Sequence, residues 1–185
     1  MQTFFRAVAV VSFLALATAC GGQMDDASSG SDDLSSSFDP ITAFPQVKKA
    51  AAAYTSGTIV AVSLNGQRQA SASTTHTYTT SFYWVWTVMG SDGTFVDVQI
   101  NSASVKVLRH ERRYLFAGEA TFDPAKVLVN GQDLLSISAT LGLGQPTEIA
   151  LNSTLAAQMT GPRYDVTYPN GGYMTIDGVT GQTSK

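Results

Sequence analysis

The sequence predicts an all-β domain, a mainly antiparallel sandwich or a small barrel, with one short amino-terminal helix. Two observations carry this expectation. Five turn dipeptides recur along the body of the chain, Asn65-Gly66, Asp92-Gly93, Asn130-Gly131, Asn170-Gly171 and Asp177-Gly178, and such pairs supply the positive backbone angles that tight hairpins need. Between them Thr, Val, Tyr and Phe dominate, and apolar residues alternate with polar ones at the period of two that lines one face of a strand.

Taken in order, Pro45 followed by "QVKKAAAAYTSG" predicts the helix: proline suits a first turn, alanine has high helix propensity, and Gly57 can end it. Residues 57–64 and the chain from 67 then predict a hairpin that turns at Asn65-Gly66. The stretch "SFYWVWTVM" at 81–89 is apolar on both faces, with Phe82, Trp84, Trp86 and Val88 on one and Tyr83, Val85 and Met89 on the other. A strand of this kind belongs in the centre of a fold, covered on both sides. In 94–100, Val96, Val98 and Ile100 alternate with Asp97 and Gln99, as a half-buried strand requires. Further strands are predicted at 103–109, 113–122, 127–129, 133–141, 146–151, 163–168 and 172–176. Within "LLSISATL", period two puts Leu135, Ile137, Ala139 and Leu141 on one face. The fragment "FDPAK" reads as a turn, with Asp123 before Pro124.

The chain has 185 residues, 44% of them hydrophobic and 14% charged, which suits one globular domain with its own core. Charge is unevenly spread. Asp25, Asp26, Asp32, Asp33 and Asp39 all precede residue 40, where Arg6 is the only basic residue. Beyond that point nine acids face ten Lys and Arg, so the body is close to neutral. Nucleic-acid binding needs a concentrated basic face, and that class of partner is set aside.

The amino terminus has a layout of its own. After Arg6 come thirteen residues, "AVAVVSFLALATA", with no charge, Pro, Asn or Gln. This is the order of an export signal, and it is too short to cross a bilayer as a helix. The run ends in the small residues Ala17, Thr18 and Ala19, and Cys20, the single cysteine of the chain, comes next. From the residues alone, an ordinary signal cut after "ATA" would leave Cys20 as a free thiol. The stretch "ALATACGG" also resembles the lipobox of bacterial lipoproteins, although Leu16 stands one place earlier than that family's usual leucine and Ala17 takes its position.

The resemblance covers residues 1 to about 22 and implies the following. Cys20 would receive a diacylglyceryl group and become the mature amino terminus, usually with a further acyl chain such as palmitate on its amine. The partner is then membrane lipid, held through two or three chains at about 0.8 kcal/mol per buried methylene. Gly21 rather than Asp after the cysteine favours the outer membrane in a host that has two. Residues 1–19 are the signal peptide, 20–44 a Ser-, Gly- and Asp-rich tether, and 45–185 a single β-rich domain. A flexible tether of this length spans roughly 25 to 30 Å on average, so the domain can stand clear of the headgroups.

Chemistry-bearing motifs are sparse. His76 and His110 sit in no metal-ligand spacing, and the chain has no nucleophile elbow, phosphate loop or dinucleotide fingerprint. No cofactor, metal or catalytic residue is predicted. The carboxylates Asp97, Glu119, Asp123, Asp133 and Asp165 could pair for polymer hydrolysis only if the fold brought two of them together across a cleft. "RHERR" at 109–113 is the one charge cluster and reads as a solvated turn that blunts a sheet edge. Tyr83, Trp84, Trp86, Tyr164, Tyr168 and Tyr173 are the candidate ligand-binding aromatics, because exposed rings stack on sugars and peptides. The expectation is an envelope lipoprotein whose β domain binds an envelope protein or glycan or serves a structural role. Its alternatives are a barrel that carries a small apolar ligand among Phe82, Trp84 and Trp86, and a cell-wall hydrolase.

Overall fold

A computed structural model describes residues 38–71, 79–154 and 161–184. Cys20, the signal and the first part of the tether lie outside the described residues, as does His76. The chain is mainly antiparallel β with a short amino-terminal helix, as predicted. Helix α1 runs Phe44–Ala51. Strands β1 (Ile59–Ser71), β2 (Thr79–Gly90), β3 (Thr94–Ile100) and β4 (Val105–Arg112) form a meander. The chain then crosses through β5 (Glu119–Ala120), a 3-10 turn (Pro124–Lys126) and helix α2 (Gly131–Thr140). A second meander follows, β6 (Glu148–Thr154), β7 (Arg163–Thr167), β8 (Tyr173–Asp177) and β9 (Thr183–Ser184).

The two meanders join where β1 pairs with β6, giving one sheet of order β4-β3-β2-β1-β6-β7-β8-β9 in which β5 is an offshoot of β6. The sheet does not close on itself, which excludes the closed barrel. Register places one set of side chains in line across the sheet: Ile100, Trp84, Gly66, Ile149, Val166 and Met174 form one row, and Val98, Trp86, Leu64, Leu151, Tyr164 and Ile176 the next. All of these are buried. Facing them are Val47 and Ala51 of α1, Leu134 of α2, and Phe122, Val127 and Val129 of the crossing segment. The opposite face of the sheet carries Tyr83, Gln67, Asp97, Asp165 and Tyr173. Strand β2 is therefore buried on one face, while Tyr83, Val85 and Met89 are only half-buried, and the expectation of cover on both sides is corrected.

Helix α1 has Pro45 in its first turn, buries Phe44, Val47 and Ala51 on one stripe, and places Lys48 and Lys49 in its last turn, where they suit the carboxyl-end dipole. It stops at Ala51, before Gly57. Packing begins earlier than the tether boundary suggests, because Ala43 and Phe44 are core and Phe38 and Ile41 lean against it. Two elements differ in kind from expectation. Asn65-Gly66 is no turn; it lies inside β1, which runs straight through. Residues 133–141 are no strand either, since α2 occupies them. Asn130 caps α2 by accepting from the N–H groups of Gln132 and Asp133, and Asp133 accepts from the Asn130 N–H at 2.9 Å, a reciprocal box that is worth about 1 kcal/mol. Burial of Leu134 and Ser138, four apart, then fits a helix. Residues 113–118 and 127–129 form no strand, and "FDPAK" forms the 3-10 turn, with Asp123 accepting from the Ala125 N–H at 3.0 Å.

Candidate functional site

The structure divides the six aromatics. Trp84, Trp86, Tyr164 and Tyr168 are core residues, each no more than 4% exposed. The Trp86 indole N–H donates to the Pro40 carbonyl at 3.1 Å, and its ring meets Phe44 at 4.8 Å and Phe122 at 6.1 Å. Tyr164 donates to the Val129 carbonyl at 2.7 Å, and burial raises its hydroxyl well above the ordinary tyrosine range. The hydroxyls of Tyr168 and Ser138 share a hydrogen bond of 2.8 Å that ties the chain leaving β7 to α2. Partnered hydroxyls are what allow these tyrosines to be interior.

Tyr83 and Tyr173 are on the opposite face. Tyr83 donates to Gln67 Oε1 at 2.6 Å, and Tyr173 donates to Asp165 Oδ1 at 2.6 Å. Burial, then Asp165, pushes the Tyr173 hydroxyl upward. They stand four strands apart, roughly 19 Å at ordinary strand spacing. No shared platform of rings results. The side chain of Phe82 lies outside the described residues, so the barrel-lining trio reduces to two tryptophans that fill the interior.

The carboxylates are likewise each engaged in holding the fold. Asp97 accepts from Thr87 and Arg109, Glu119 from Arg113, and Asp133 caps α2. Asp165 accepts from Tyr173, Thr175 and Asn152, with Arg163 Nε 3.6 Å away. Asp92, absent from the sequence-based candidates, accepts from the Thr55 hydroxyl at 2.6 Å, the Ser56 hydroxyl and the N–H groups of Thr94 and Ser56. Those bonds, led by Thr55, hold its carboxyl well below the usual carboxylate range. They tie the β2–β3 turn to the exit of α1. Among the described residues no group of three His, Cys, Asp or Glu is placed to hold a metal, and no helix is long and apolar enough to cross a membrane.

Among the described residues, a groove of about 600 Å³ lies between α1 and the 3-10 turn. Its apolar walls are Ile41, Phe44, Pro45, Pro124 and Val127, and Lys48 and Asp123 supply its charged groups. A second groove of about 330 Å³ shares Phe44, Lys48, Asp123 and Pro124 and reaches β1 at Ile59 and Val60. Each wall is fixed from behind. Phe44 rests on Trp86. The Phe122 N–H bonds the Ala61 carbonyl at 3.0 Å, and the N–H groups of Leu128 and Val129 bond the Gly178 carbonyl at 2.9 and 3.0 Å. Two anchored elements thus face each other across unfilled apolar space, a preformed cleft of the size that small ligands occupy. An elongated apolar molecule fits the walls, and the Lys48 ammonium suits an acidic head. The sequence marks both walls with prolines, Pro45 and Pro124, but nothing local sets those segments face to face.

Comparison of the chain with protein-family models, with curated proteins and with solved structures finds no match.

Proposed function

We propose that the protein is an exported envelope lipoprotein, anchored to membrane lipid through acylated Cys20, whose β domain is a binding module rather than a catalyst. The observation that carries the anchor is the order of residues at the amino terminus: Arg6, a thirteen-residue uncharged run that ends in small residues, Cys20 and Gly21. Gly21 supports the outer membrane where the host has two. Metabolic labelling with an alkyne fatty acid should tag the wild-type chain and leave Cys20→Ala untagged. An untagged wild type ends the anchoring reading.

The binding role rests on the groove beside α1, and this relocates the apolar-ligand alternative from the tryptophans to Phe44, Pro45, Pro124 and Val127. Phe44 lines the groove and touches Trp86. Trp86 emission should therefore respond when the groove fills. Titrating dodecanoate into the protein should give a saturable change, and Ala125→Arg, at an exposed position of the groove wall, should weaken it at least tenfold. A flat wild-type titration removes the groove as a site for this ligand class.

A further inference from the structure

The two grooves beside α1 are arms of one cleft. Both are lined by Phe44 and Lys48 on the helix side and by Asp123 and Pro124 on the side of the 3-10 turn. From that shared waist the larger arm follows Ile41, Pro45 and Val127, and the smaller one follows Ile59, Val60 and Phe122. Apolar wall therefore extends in both directions.

Among the described residues, the charged groups of both linings stand at the waist and nowhere else. Lys48 follows Phe44 by four residues, so helical spacing sets the two on one face of α1. Asp123 precedes the 3-10 turn, where its Oδ1 accepts from the Ala125 N–H at 3.0 Å and its Oδ2 has no hydrogen bond among the described residues. Both side chains are exposed, and neither forms an ion pair with the other or with any other described residue. An ammonium and a carboxylate thus line the same space from opposite walls, too far apart to pair directly.

That layout narrows the ligand. A fatty acid carries its head at one end and fills one arm. A ligand for both arms carries its head between two chains, and a head for both walls offers an anion to Lys48 and a cation to Asp123. An extended peptide is a poorer fit, because its backbone N–H and C=O groups would lie against Ile, Val, Phe and Pro side chains that cannot bond them.

We infer that the cleft binds one molecule of a diacyl phospholipid with an ethanolamine head, its chains splayed into the two arms, its phosphate at Lys48 and its ammonium at Asp123. The inference rests on the reading of the groove as an apolar-ligand site and names the ligand class of that same site.

The test uses the full chain kept in an amphipathic polymer, which leaves no free detergent to compete. Three probes are titrated against tryptophan emission, because Phe44 lines both arms and its ring centre lies 4.8 Å from that of Trp86. Dihexanoylphosphatidylethanolamine has two chains and both charges, dihexanoylphosphatidylglycerol has the same chains and the anion alone, and dodecanoate has one chain with an anion. The ethanolamine lipid should bind about tenfold more tightly than the glycerol lipid. Asp123→Asn keeps an acceptor for the Ala125 N–H and should erase that preference. Val60→Arg sets a charge in the smaller arm and should weaken the ethanolamine lipid about tenfold. Saturable binding of dodecanoate to the wild type reports the groove separately. If dodecanoate binds while the two lipids bind alike, or neither lipid binds, the inference falls and the groove stands. A preference that survives Asp123→Asn, or a lipid affinity untouched by Val60→Arg, also overturns the inference. If none of the three probes binds, both readings fall.

Discussion

Trp86→Ala should lower the stability of the domain by about 4 kcal/mol, a large share of the roughly 5 to 15 kcal/mol that a folded domain possesses. Trp86 is fully buried at the meeting point of three layers of contact: Phe44 of α1, Phe122 of the crossing segment, and the row of Val98, Leu64 and Leu151 on its own sheet face. Truncation removes the largest fully buried side chain among the described residues and leaves a cavity that no single element can collapse to fill. It also strips the Pro40 carbonyl of its indole donor. Trp86→Phe keeps most of the packing and loses that bond, so about 1 to 2 kcal/mol is expected. Urea unfolding reads both as shifts of the midpoint at unchanged slope. A Trp86→Ala protein that melts with the wild type would show that the interior is not organised around this ring.

Gly66→Ala is the second large effect, about 3 kcal/mol, and it runs against the ordinary rule that alanine stabilises a strand over glycine. A Cβ at residue 66 would stand 2.4 Å from Trp84 Cζ3, 2.6 Å from Cε3 and 2.9 Å from Cη2. Trp84 is 4% exposed and cannot swing away. Gly66 has no positive φ, so the position needs glycine for space and not for backbone angle. The prediction separates these causes. In a Trp84→Leu background, where the ring is gone, Gly66→Ala should cost less than about 1 kcal/mol, a coupling that a double-mutant cycle measures directly. Additive losses would refute the steric account.

These two residues also show why some of the fold was legible in the chain and some was not. Asp92-Gly93 and Asn170-Gly171 do make the turns between strands, and Gly93 and Gly171 have positive φ. Asn65-Gly66 carries the same local code, yet the ring that needs the empty Cβ comes from the neighbouring strand, which no local reading sees. The sequence hides α2 because "LLSISATL" alternates apolar and polar residues, and period two is ambiguous over a short apolar run. Its start was nevertheless written in the chain: Asn130 with Asp133 three residues on is a cap, and Gly142 with φ of 67° follows its end. Turn glycine and cap asparagine look alike until the acid at the third position is weighed. The groove is a tertiary product of two segments far apart in sequence, and the sequence showed only that each is interrupted by proline. The aromatics divide by a rule that period two did supply, since Trp84 and Trp86 fall on one face and Tyr83 on the other, but which face meets the helices is set by the whole sheet.

The seam between β1 and β6 has a kinetic meaning as well. On either side of it, strands pair with their neighbours in sequence, so each meander closes only short loops. At the seam Gly66 meets Ile149, residues about eighty positions apart, and closing so long a loop gains little until the inner rows are already aligned. The two meanders should therefore form before the seam between them closes. Amide exchange should report it, with the β1–β6 hydrogen bonds opening at lower free energy than those between β2 and β3.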